Sequence, residues 1–407
     1  MFLLVHFSFN MLLLNHNRFY FRILLLFSLF TGYSCKKVEQ IRKNQMMSSF
    51  DLIKEKEFLI HSITSVELLD YFPKEKLYLG YSNTNRGKEI LLVDENGKVI
   101  ISENMQGEGP EQHSSNFSSI GFSDEGNIWV MTSVEVLLYD RNLKLIDRFK
   151  YQPIDILYLY SLAKKFSYFN LDSFQNQITF ATIPSGTSRF NPLSGNNFDQ
   201  LMLFELYDRK SSTLRQFSPL SERQVTKEFL GLVGGFYSPV YDVNSKSSKL
   251  ILTSSFDNQI TIHDLSEGMA FIRIPILYED PNSLPFPNKL KPEDLFQTPE
   301  GWLLSPKNQS IHQLDDDLFV LEYLSGVTIN PFKKNQPEID ENPTQNRLIL
   351  FNYNDQLSKD ILIPERGVLM TTLPGNRLLV KSVDPKREDD FTRYLVYRIE
   401  EDASFSN

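Results

Sequence analysis

From residue 55 to residue 400 the apolar positions fall in short runs separated by polar turns, and no stretch keeps a 3.6-residue helical period. One feature, an apolar or β-branched run that ends in a turn residue, recurs along the chain. Its six copies are Leu91–Asp94, Leu137–Asp140, Glu205–Asp208, Thr261–Asp264, Ile349–Asn352 and Leu395–Arg398. Five of the six end in Asp or Asn, whose side chains bond the backbone two residues on and start a tight turn between antiparallel strands.

A second feature, a polar turn followed by a strongly β-prone run, precedes each of these copies. The six β-prone runs begin at Leu77, Ile128, Ile178, Leu250, Leu318 and Leu378. The two features predict four strands in each unit, A to D, with an A–B hairpin at the polar turn and a C–D hairpin at the Asp or Asn. The shortest repeat spacing matches the roughly 40 to 50 residues of a propeller blade. The chain is therefore predicted to be all-β, a six-bladed β-propeller of four-stranded antiparallel blades.

The ends of the chain predict how the ring closes. The last unit supplies three strands, whereas one extra run, Phe58 to Ile63, precedes the first unit. Pairing this run as the outer strand of the last blade would close the ring and cover an exposed sheet edge. We predict a propeller over residues 55–401, with a closing strand at 56–63 and a tail at 402–407. The blades are predicted at about 64–104, 118–150, 168–219, 236–277, 310–364 and 366–400.

The amino-terminal residues have the organisation of a signal peptide. Residues 1–34 contain no acidic residue, and Arg18 and Arg22 precede the apolar run Ile23 to Phe30. The only cysteine, Cys35, follows where a bacterial lipoprotein signal peptidase would leave it as the new amino terminus. The sequence predicts a signal peptide at 1–34, lipid attachment at Cys35 and a lipidated tether at 35–54. An uncleaved anchor is less favoured because the run from Ile23 is too short to span a bilayer; a buried thiol at Cys35 and a start at Met11 remain alternatives.

Charge and cysteine content exclude several classes. The net charge of −9 gives no electrostatic basis for binding nucleic acid. One cysteine excludes a disulfide framework, and no Cys/His cluster is present that could hold structural zinc.

The segment Gly107-Glu108-Gly109-Pro110 lies between the first two predicted blades. Together with the leader and the six units, it resembles the six-bladed β-propeller lipoproteins of Bacteroidetes, which are related in shape to TolB. That family commonly has G-x-G-P-x-E-aromatic here, and this chain has Gln112 and His113 in place of the acid and the aromatic. The resemblance supports the fold and implies no particular activity. The glycines and Pro110 also suit a tight, stiff crossing between blades.

Strand order sorts the connections by face. A–B and C–D turns leave on one face of the ring, here called the loop-poor face, and they have mostly two to five residues. B–C connections and D–A crossings leave on the opposite, loop-rich face. All the long segments fall there: 183–199 and 325–346 between B and C strands, and 103–119, 151–167, 218–236 and 274–310 between blades. Because long loops on a rigid scaffold usually carry binding, we predict the functional surface on the loop-rich face.

The candidate contact residues belong to these connections. Aromatic side chains there can stack on sugar rings or anchor a partner protein, although long loops also use them to stay ordered. The residues predicted to contact a ligand are Glu111, His113, Tyr158, Tyr160, Phe236, Tyr237, Trp302 and Arg366.

Catalytic motifs are missing: the sequence has no G-x-S-x-G, no H-E-x-x-H and no G-x-x-x-x-G-K-[ST]. No cofactor is predicted, although a single divalent cation such as Ca²⁺ in the axial funnel would suit a hydrolase. The polar residues considered around such an ion are Glu108, Glu111, His113, Asp155, Glu365 and Arg366. A solvated loop histidine is the favoured interpretation of His113, and a solvated hairpin that of Asp315–Asp317. The run Ser123–Trp129 is interpreted as a glycine-containing turn before a core tryptophan.

We therefore expect a bacterial outer-membrane lipoprotein, facing the periplasm or the cell surface, that binds a partner protein or a glycan. The alternatives are a metal-dependent hydrolase of lactones or phosphoesters in the funnel and a structural assembly subunit. Three or more carboxylate, amide or imidazole groups converging on one point would favour the hydrolase. A funnel lined by apolar groups or by Lys and Arg would favour binding.

Overall fold

The apolar runs of the sequence form six antiparallel sheets in a computed structural model of the chain. The structure describes residues 47–151, 163–172, 177–182, 202–219, 222–223, 239–255, 257–266, 270–279, 307–325, 345–383 and 390–402. Cys35, the predicted site of lipid attachment, and the predicted signal peptide lie outside them. Within the described residues, none of the elements is a helix with the length and hydropathy of a membrane span.

The strands follow one another in chain order from the inner to the outer edge of each blade. The first strand is β1 (Phe50–His61), which lies before blade 1. Blade 1 has β2 (Val66–Phe72), β3 (Leu77–Thr84), β4 (Gly87–Asp94) and β5 (Val99–Glu103). Blade 2 has β6 (Ser119–Phe122), β7 (Ile128–Met131), β8 (Glu135–Tyr139) and β9 (Leu145–Lys150), followed by a short β10 (Lys164–Lys165). Blade 3 has β11 (Tyr168–Asp172), β12 (Gln177–Thr182), β13 (Met202–Asp208) and β14 (Thr213–Pro219).

The other half of the ring follows the same plan. Blade 4 has β15 (Pro239–Asn244), β16 (Lys249–Ser254), β17 (Gln259–Asp264) and β18 (Ala270–Pro275). Blade 5 has β19 (Lys307–Gln313), β20 (Leu318–Leu324), β21 (Asn346–Asn352) and β22 (Ile361–Leu362). Blade 6 has β23 (Gly367–Leu373), β24 (Arg377–Ser382) and β25 (Phe391–Glu401). The predicted six-bladed β-propeller is confirmed, because six blades of four antiparallel strands form in sequence order, with β10 added to blade 2. Inner strands of adjacent blades contact each other, as β2 does β6 and β23, and β15 does β11 and β19.

The amino-terminal strand closes the ring, as predicted. β1 pairs antiparallel with β25, from Phe50 opposite Glu401 to His61 opposite Phe391, and so becomes the outer strand of blade 6. It is longer than the predicted closing strand and includes residues 50–54, which the sequence analysis assigned to the tether. The reason is that Phe50 and Leu52 pack against the apolar cluster between blades 5 and 6. The apolar residues at 50 and 52 alternate as in a strand, but the charged residues from Lys54 onward make this pattern hard to recognise in the sequence.

The C–D turns have the predicted geometry. Asp94 Oδ1 accepts hydrogen bonds from the backbone N–H of Asn96 at 2.8 Å and of Lys98 at 2.9 Å. The same bond to the residue two positions on recurs at Asp140, Asp208, Asp264 and Asn352. The sixth copy ends in Arg398, and no turn is needed there, since the next strand of that blade is β1 from the other end of the chain.

The core lies between the blades, where neighbouring sheets pack face to face. Trp129 on β7 is 2% exposed and stacks on Phe166 with ring centroids 5.6 Å apart. The turn before it contains Gly126 at φ +84°, and Ser123 Oγ accepts the Asn127 N–H at 3.0 Å. The interpretation of this run as a glycine-containing turn before a core tryptophan is therefore confirmed.

Blade 2 contains an inner strand that the sequence did not predict. β10 pairs parallel with β6, with Lys164 opposite Ser119 and Lys165 opposite Ile120. The sequence analysis assigned these residues to the long crossing at 151–167. β10 places two consecutive lysines at the inner edge of the blade, next to the axis of the ring.

Candidate binding face and axial channel

The strand order places both ends of every long connection at the loop-rich face. Segment 183–199 joins β12 to β13, and 325–346 joins β20 to β21. In blade 5 the two ends of the connection meet: the Ser325 N–H donates to the Gln345 carbonyl at 2.9 Å, and the Gln345 N–H donates to Ser325 Oγ at 3.1 Å. The chain therefore leaves and re-enters the blade at one point.

Only three of the predicted contact residues lie within the described part of the chain: Glu111, His113 and Arg366. Tyr158, Tyr160, Phe236, Tyr237 and Trp302 lie outside it, as does Asp155. The Glu111 side chain is exposed, and its carbonyl oxygen accepts a hydrogen bond from the Tyr139 hydroxyl at 2.8 Å. Arg366 is exposed directly before β23, on the loop-rich face.

His113 is buried and not a solvated loop side chain. It is 0% exposed, its Nδ1 lies 2.7 Å from the Ser115 carbonyl oxygen, and its ring meets Phe117 edge-on at 5.8 Å. Because a carbonyl only accepts hydrogen bonds, Nδ1 carries the proton. Burial lowers the pKa of His113, so the ring is neutral at pH 7. The residue holds the crossing between blades 1 and 2 in place.

The crossing itself is closed by its own hydrogen bonds. The Gly107 N–H donates to the His113 carbonyl at 3.0 Å, and the His113 N–H donates to the Met105 carbonyl at 2.9 Å. Gln112, which replaces the acid of the resembled family, accepts the Gly109 N–H through Oε1 at 2.9 Å. These contacts support the structural explanation of the glycine-containing segment.

Glu365, another residue considered near a metal ion, forms ion pairs with the closing strand and its partner. It lies 3.3 Å from Lys54 and 3.2 Å from Arg393, which also pairs with Glu57 at 2.7 Å. In the described part of the chain, no three His, Cys, Asp or Glu side chains form a group that could hold a metal ion.

An axial channel runs between the inner strands. A cavity of about 230 Å³ is lined by residues of β2, β10, β15, β19 and β23. A second cavity of about 390 Å³ opens beside the A–B turns of blades 1, 2 and 4, at the loop-poor face. Lys165, Ser167 and Asp242 line both, so the two cavities meet at this level.

Charged groups at this level bond to neighbouring strands. Asp70 Oδ1 lies 3.1 Å from Lys165 Nζ, and Asp70 Oδ2 accepts the Phe122 backbone N–H at 2.8 Å. Asp242 Oδ2 likewise accepts the Gln313 N–H at 2.6 Å. Burial opposes the charge on Lys165, but Asp70 and Asp242 together raise its pKa above the ordinary lysine value.

Burial shifts the pKa values of three further side chains of the channel, Lys164, Glu322 and His312. Lys164 Nζ donates to the Pro239 carbonyl at 3.1 Å, and burial lowers its pKa to about 8. Burial raises the pKa of Glu322 to about 7, although the carboxylate accepts hydrogen bonds from Leu369 N–H, Asn346 and Ser310. Burial also lowers the pKa of His312 to about 4, so this imidazole is neutral at pH 7.

The channel was not predicted from the sequence, because most of its polar residues lie on inner strands and not in the long loops. Two signals were present: Asp70 lies between two apolar pairs of its A strand, Leu68-Leu69 and Tyr71-Phe72, and Asp242 lies between Tyr241 and Val243. A third signal was Gly121 in β6, since glycine inside a strand often marks the close approach of another backbone. A Cβ at this position would lie 3.0 Å from the Phe166 carbonyl oxygen, directly after β10.

The comparisons with known proteins concern the fold. No family model matches the sequence, and no curated protein matches it. A crystal structure of a member of the DUF4221 family from Bacteroides vulgatus is similar, with a TM-score of 0.61 and 13% identity over 88% of this chain and 100% of that one. A protein from Bacteroides fragilis described as exported has a TM-score of 0.46 and 11% identity over 88% of this chain and 96% of that one. At this identity the likeness to the Bacteroides vulgatus protein shows the fold alone, a β-propeller shared with a Bacteroidetes protein.

Proposed function

We propose that the protein is a bacterial outer-membrane lipoprotein that is anchored through Cys35 and binds a partner protein or a glycan at its loop-rich face. The observation that supports binding at this face is the one-sided distribution of the connections. The long predicted segments begin and end at strand termini of the loop-rich face, whereas the turns of the opposite face, apart from the eight-residue connection 353–360 of blade 5, are short, and side-chain hydrogen bonds fix the C–D turns. Long loops on a rigid scaffold are the usual location of binding residues.

The chemistry of the channel also supports binding in preference to the hydrolase. Asp70 and Asp242 use one carboxylate oxygen each to accept a backbone N–H of the next blade along the chain, and Glu322 accepts three hydrogen bonds. Two lysines, Lys164 and Lys165, line the same space. These carboxylates therefore stabilise contacts between strands and blades.

Shortening one long connection tests the proposal. Because Ser325 and Gln345 are hydrogen-bonded to each other, residues 326–344 can be replaced by the two-residue turn of blade 1, Asn85-Arg86. We expect the variant to keep the thermal midpoint of the parent within a few degrees and to lose at least tenfold in affinity for the ligand. The ligand is identified with the parent protein on a glycan array and by crosslinking to envelope proteins.

A matched variant on the opposite face provides the control. Asp316→Ser changes an exposed A–B turn of the same blade, and we expect it to bind like the parent. The other long connections are then shortened one at a time. If every shortened variant binds as tightly as the parent, the assignment of binding to this face is wrong.

The anchor is tested separately. Cys35→Ser removes the only thiol of the chain, and the variant is expected to leave the membrane fraction and to lose the mobility shift of the lipid. A variant that stays in the membrane with unchanged mobility would show that Cys35 carries no lipid.

A further inference from the structure

The chain joins the ring at the loop-poor face. β1 begins at Phe50, which pairs with Glu401 near the end of β25. In the same blade Arg398 pairs with Arg377, the first residue after the A–B turn, so β25 continues three residues past that turn. The start of β1 therefore extends beyond the level of the A–B turn, on the loop-poor side of blade 6.

The residues before β1 are fixed at the outer rim. The Ser48 N–H donates to the Leu357 carbonyl at 3.0 Å, and the Lys359 N–H donates to the Ser48 carbonyl at 3.1 Å. Leu357 and Lys359 belong to the C–D connection of blade 5, which lies on the loop-poor face. The point from which any tether must extend is thus set by backbone hydrogen bonds.

The length of chain between Cys35 and the ring limits how far the ring can lie from the bilayer. Eleven residues lie between Cys35 and Met47, and even a fully extended chain of this length reaches only about 40 Å. A seven-residue strand such as β20 alone spans about 23 Å, and the long connections add to the height on the loop-rich side. Placing the loop-rich face on the bilayer would therefore use most of the extended length, whereas the loop-poor face can lie against the bilayer without extending the chain.

From these observations we propose that the loop-poor face lies against the bilayer and that the loop-rich face points away from it, free to bind. This inference rests on the proposed lipid at Cys35. The membrane itself is then the partner of the loop-poor face, and the mouth of the axial cavity beside the A–B turns opens toward the lipid headgroups.

Energy transfer to the bilayer tests the orientation. Three exposed asparagines are matched positions for a dye. Asn354 lies on the loop-poor face, in the blade 5 connection that bonds to Ser48, and Asn142 lies on the same face in blade 2. Asn85 lies on the loop-rich face. Each is changed to cysteine in the full-length chain, which is expressed in a bacterial host that processes lipoproteins. Once the Cys35 thiol carries lipid, the introduced cysteine is the only thiol left to label.

The labelled proteins are reconstituted into vesicles that contain an acceptor dye on phosphatidylethanolamine. We expect transfer from Asn354→Cys and Asn142→Cys to be at least twofold higher than from Asn85→Cys. Equal transfer from all three, or stronger transfer from Asn85→Cys, would overturn the orientation while leaving the anchor intact. Flotation of the same vesicles reports the anchor: a chain that does not float would overturn the lipid at Cys35 and the orientation with it.

Discussion

Asp70 joins blade 1 to blade 2 by accepting the Phe122 backbone N–H at 2.8 Å, at the inner edge where both sheets reach the axis. Asp242 makes the same bond from blade 4 to Gln313 of blade 5 at 2.6 Å. In both cases the other carboxylate oxygen accepts the N–H of the next residue in its own strand. Neighbouring blades are separate sheets with no backbone hydrogen bonds between their described strands here, so the Asp carboxylate serves as the acceptor for the backbone N–H of the next blade.

Removing this carboxylate should destabilise the ring. Asp70→Ala leaves the Phe122 N–H without its acceptor and Lys165 without its partner at 3.1 Å, and hydrogen bonds to charged groups are worth about 1.5–3 kcal/mol each. We expect a loss of about 2–3 kcal/mol in the free energy of unfolding, measured by urea denaturation. Adding Lys165→Met should recover part of it. Glu75→Ala, at an exposed ion pair with Arg141, should cost less than about 1 kcal/mol, and equal losses in the two single variants would contradict the role of Asp70.

Glu322 should make stability depend on pH. Burial raises the pKa of Glu322 in the folded chain to about 7 from its ordinary value of 4.5, so the folded chain keeps a proton that the unfolded chain releases between these values. The contribution of Glu322 to the free energy of unfolding is fully present below about pH 4.5 and is lost as pH rises through about 7. Relative to Glu322→Gln, the parent should lose about 3 kcal/mol over this interval.

The measurement is urea denaturation of both proteins from pH 4.5 to pH 8. The difference between them isolates Glu322 from His263 and His312, whose pKa values burial lowers to about 4 and whose contributions therefore have the opposite sign. A constant difference across this range would show that the carboxyl titrates normally.

The closing strand should contribute strongly through one aromatic residue. Phe58 on β1 is 5% exposed, and the centroid of its ring lies 5.4 Å from that of Tyr78 in blade 1 and 5.4 Å from that of Tyr394 in blade 6. The Phe58 ring therefore packs between blades 6 and 1. Phe58→Ala is expected to cost about 3–5 kcal/mol by thermal or chemical denaturation. Ile53→Ala on the same strand is the control, because Ile53 is 42% exposed and should cost less than about 1 kcal/mol.

Two turn glycines separate backbone strain from packing. Gly375 has φ +80° and its nearest neighbour to an added Cβ is Arg377 Nε at 4.0 Å, so Gly375→Ala should cost only the strain of about 1–2 kcal/mol. Gly126 has φ +84°, but there the Cβ would meet the Phe72 ring at 2.6 Å. Gly126→Ala should cost at least about 1 kcal/mol more by urea denaturation, and equal costs would show that the Phe72 ring moves aside freely.

The repeated features of the sequence predicted the blades because each reflects a local requirement. A C–D turn needs a side chain that accepts backbone N–H groups, which explains Asp94, Asp140, Asp208, Asp264 and Asn352. The change to Arg398 in the last copy reflects ring closure, a requirement of the tertiary structure. Local pattern and global topology agree at these positions.

The site residues were harder to predict because their roles depend on contacts distant in sequence. His113 follows a polar loop and looks solvated, yet it is buried, and Tyr139 and Arg148 of blade 2 donate hydrogen bonds to the carbonyl oxygens of the preceding residues Glu111 and Gln112. Lys165 meets Asp70, a residue nearly one hundred positions earlier, only because β10 adds to the inner edge of blade 2. A two-residue strand has no periodicity that a sequence could display.

The pairing of β1 with β25 has a consequence for biogenesis. The two strands lie at opposite ends of the chain, so the last sheet cannot be completed until translation has delivered residues 391–401. Contacts of such high sequence separation form late, because their loop-closure entropy is offset only when the intervening blades are already folded. A prematurely terminated product would keep an unpaired edge on β1 and on β24, which exposes it to proteolysis and distinguishes it from the finished ring.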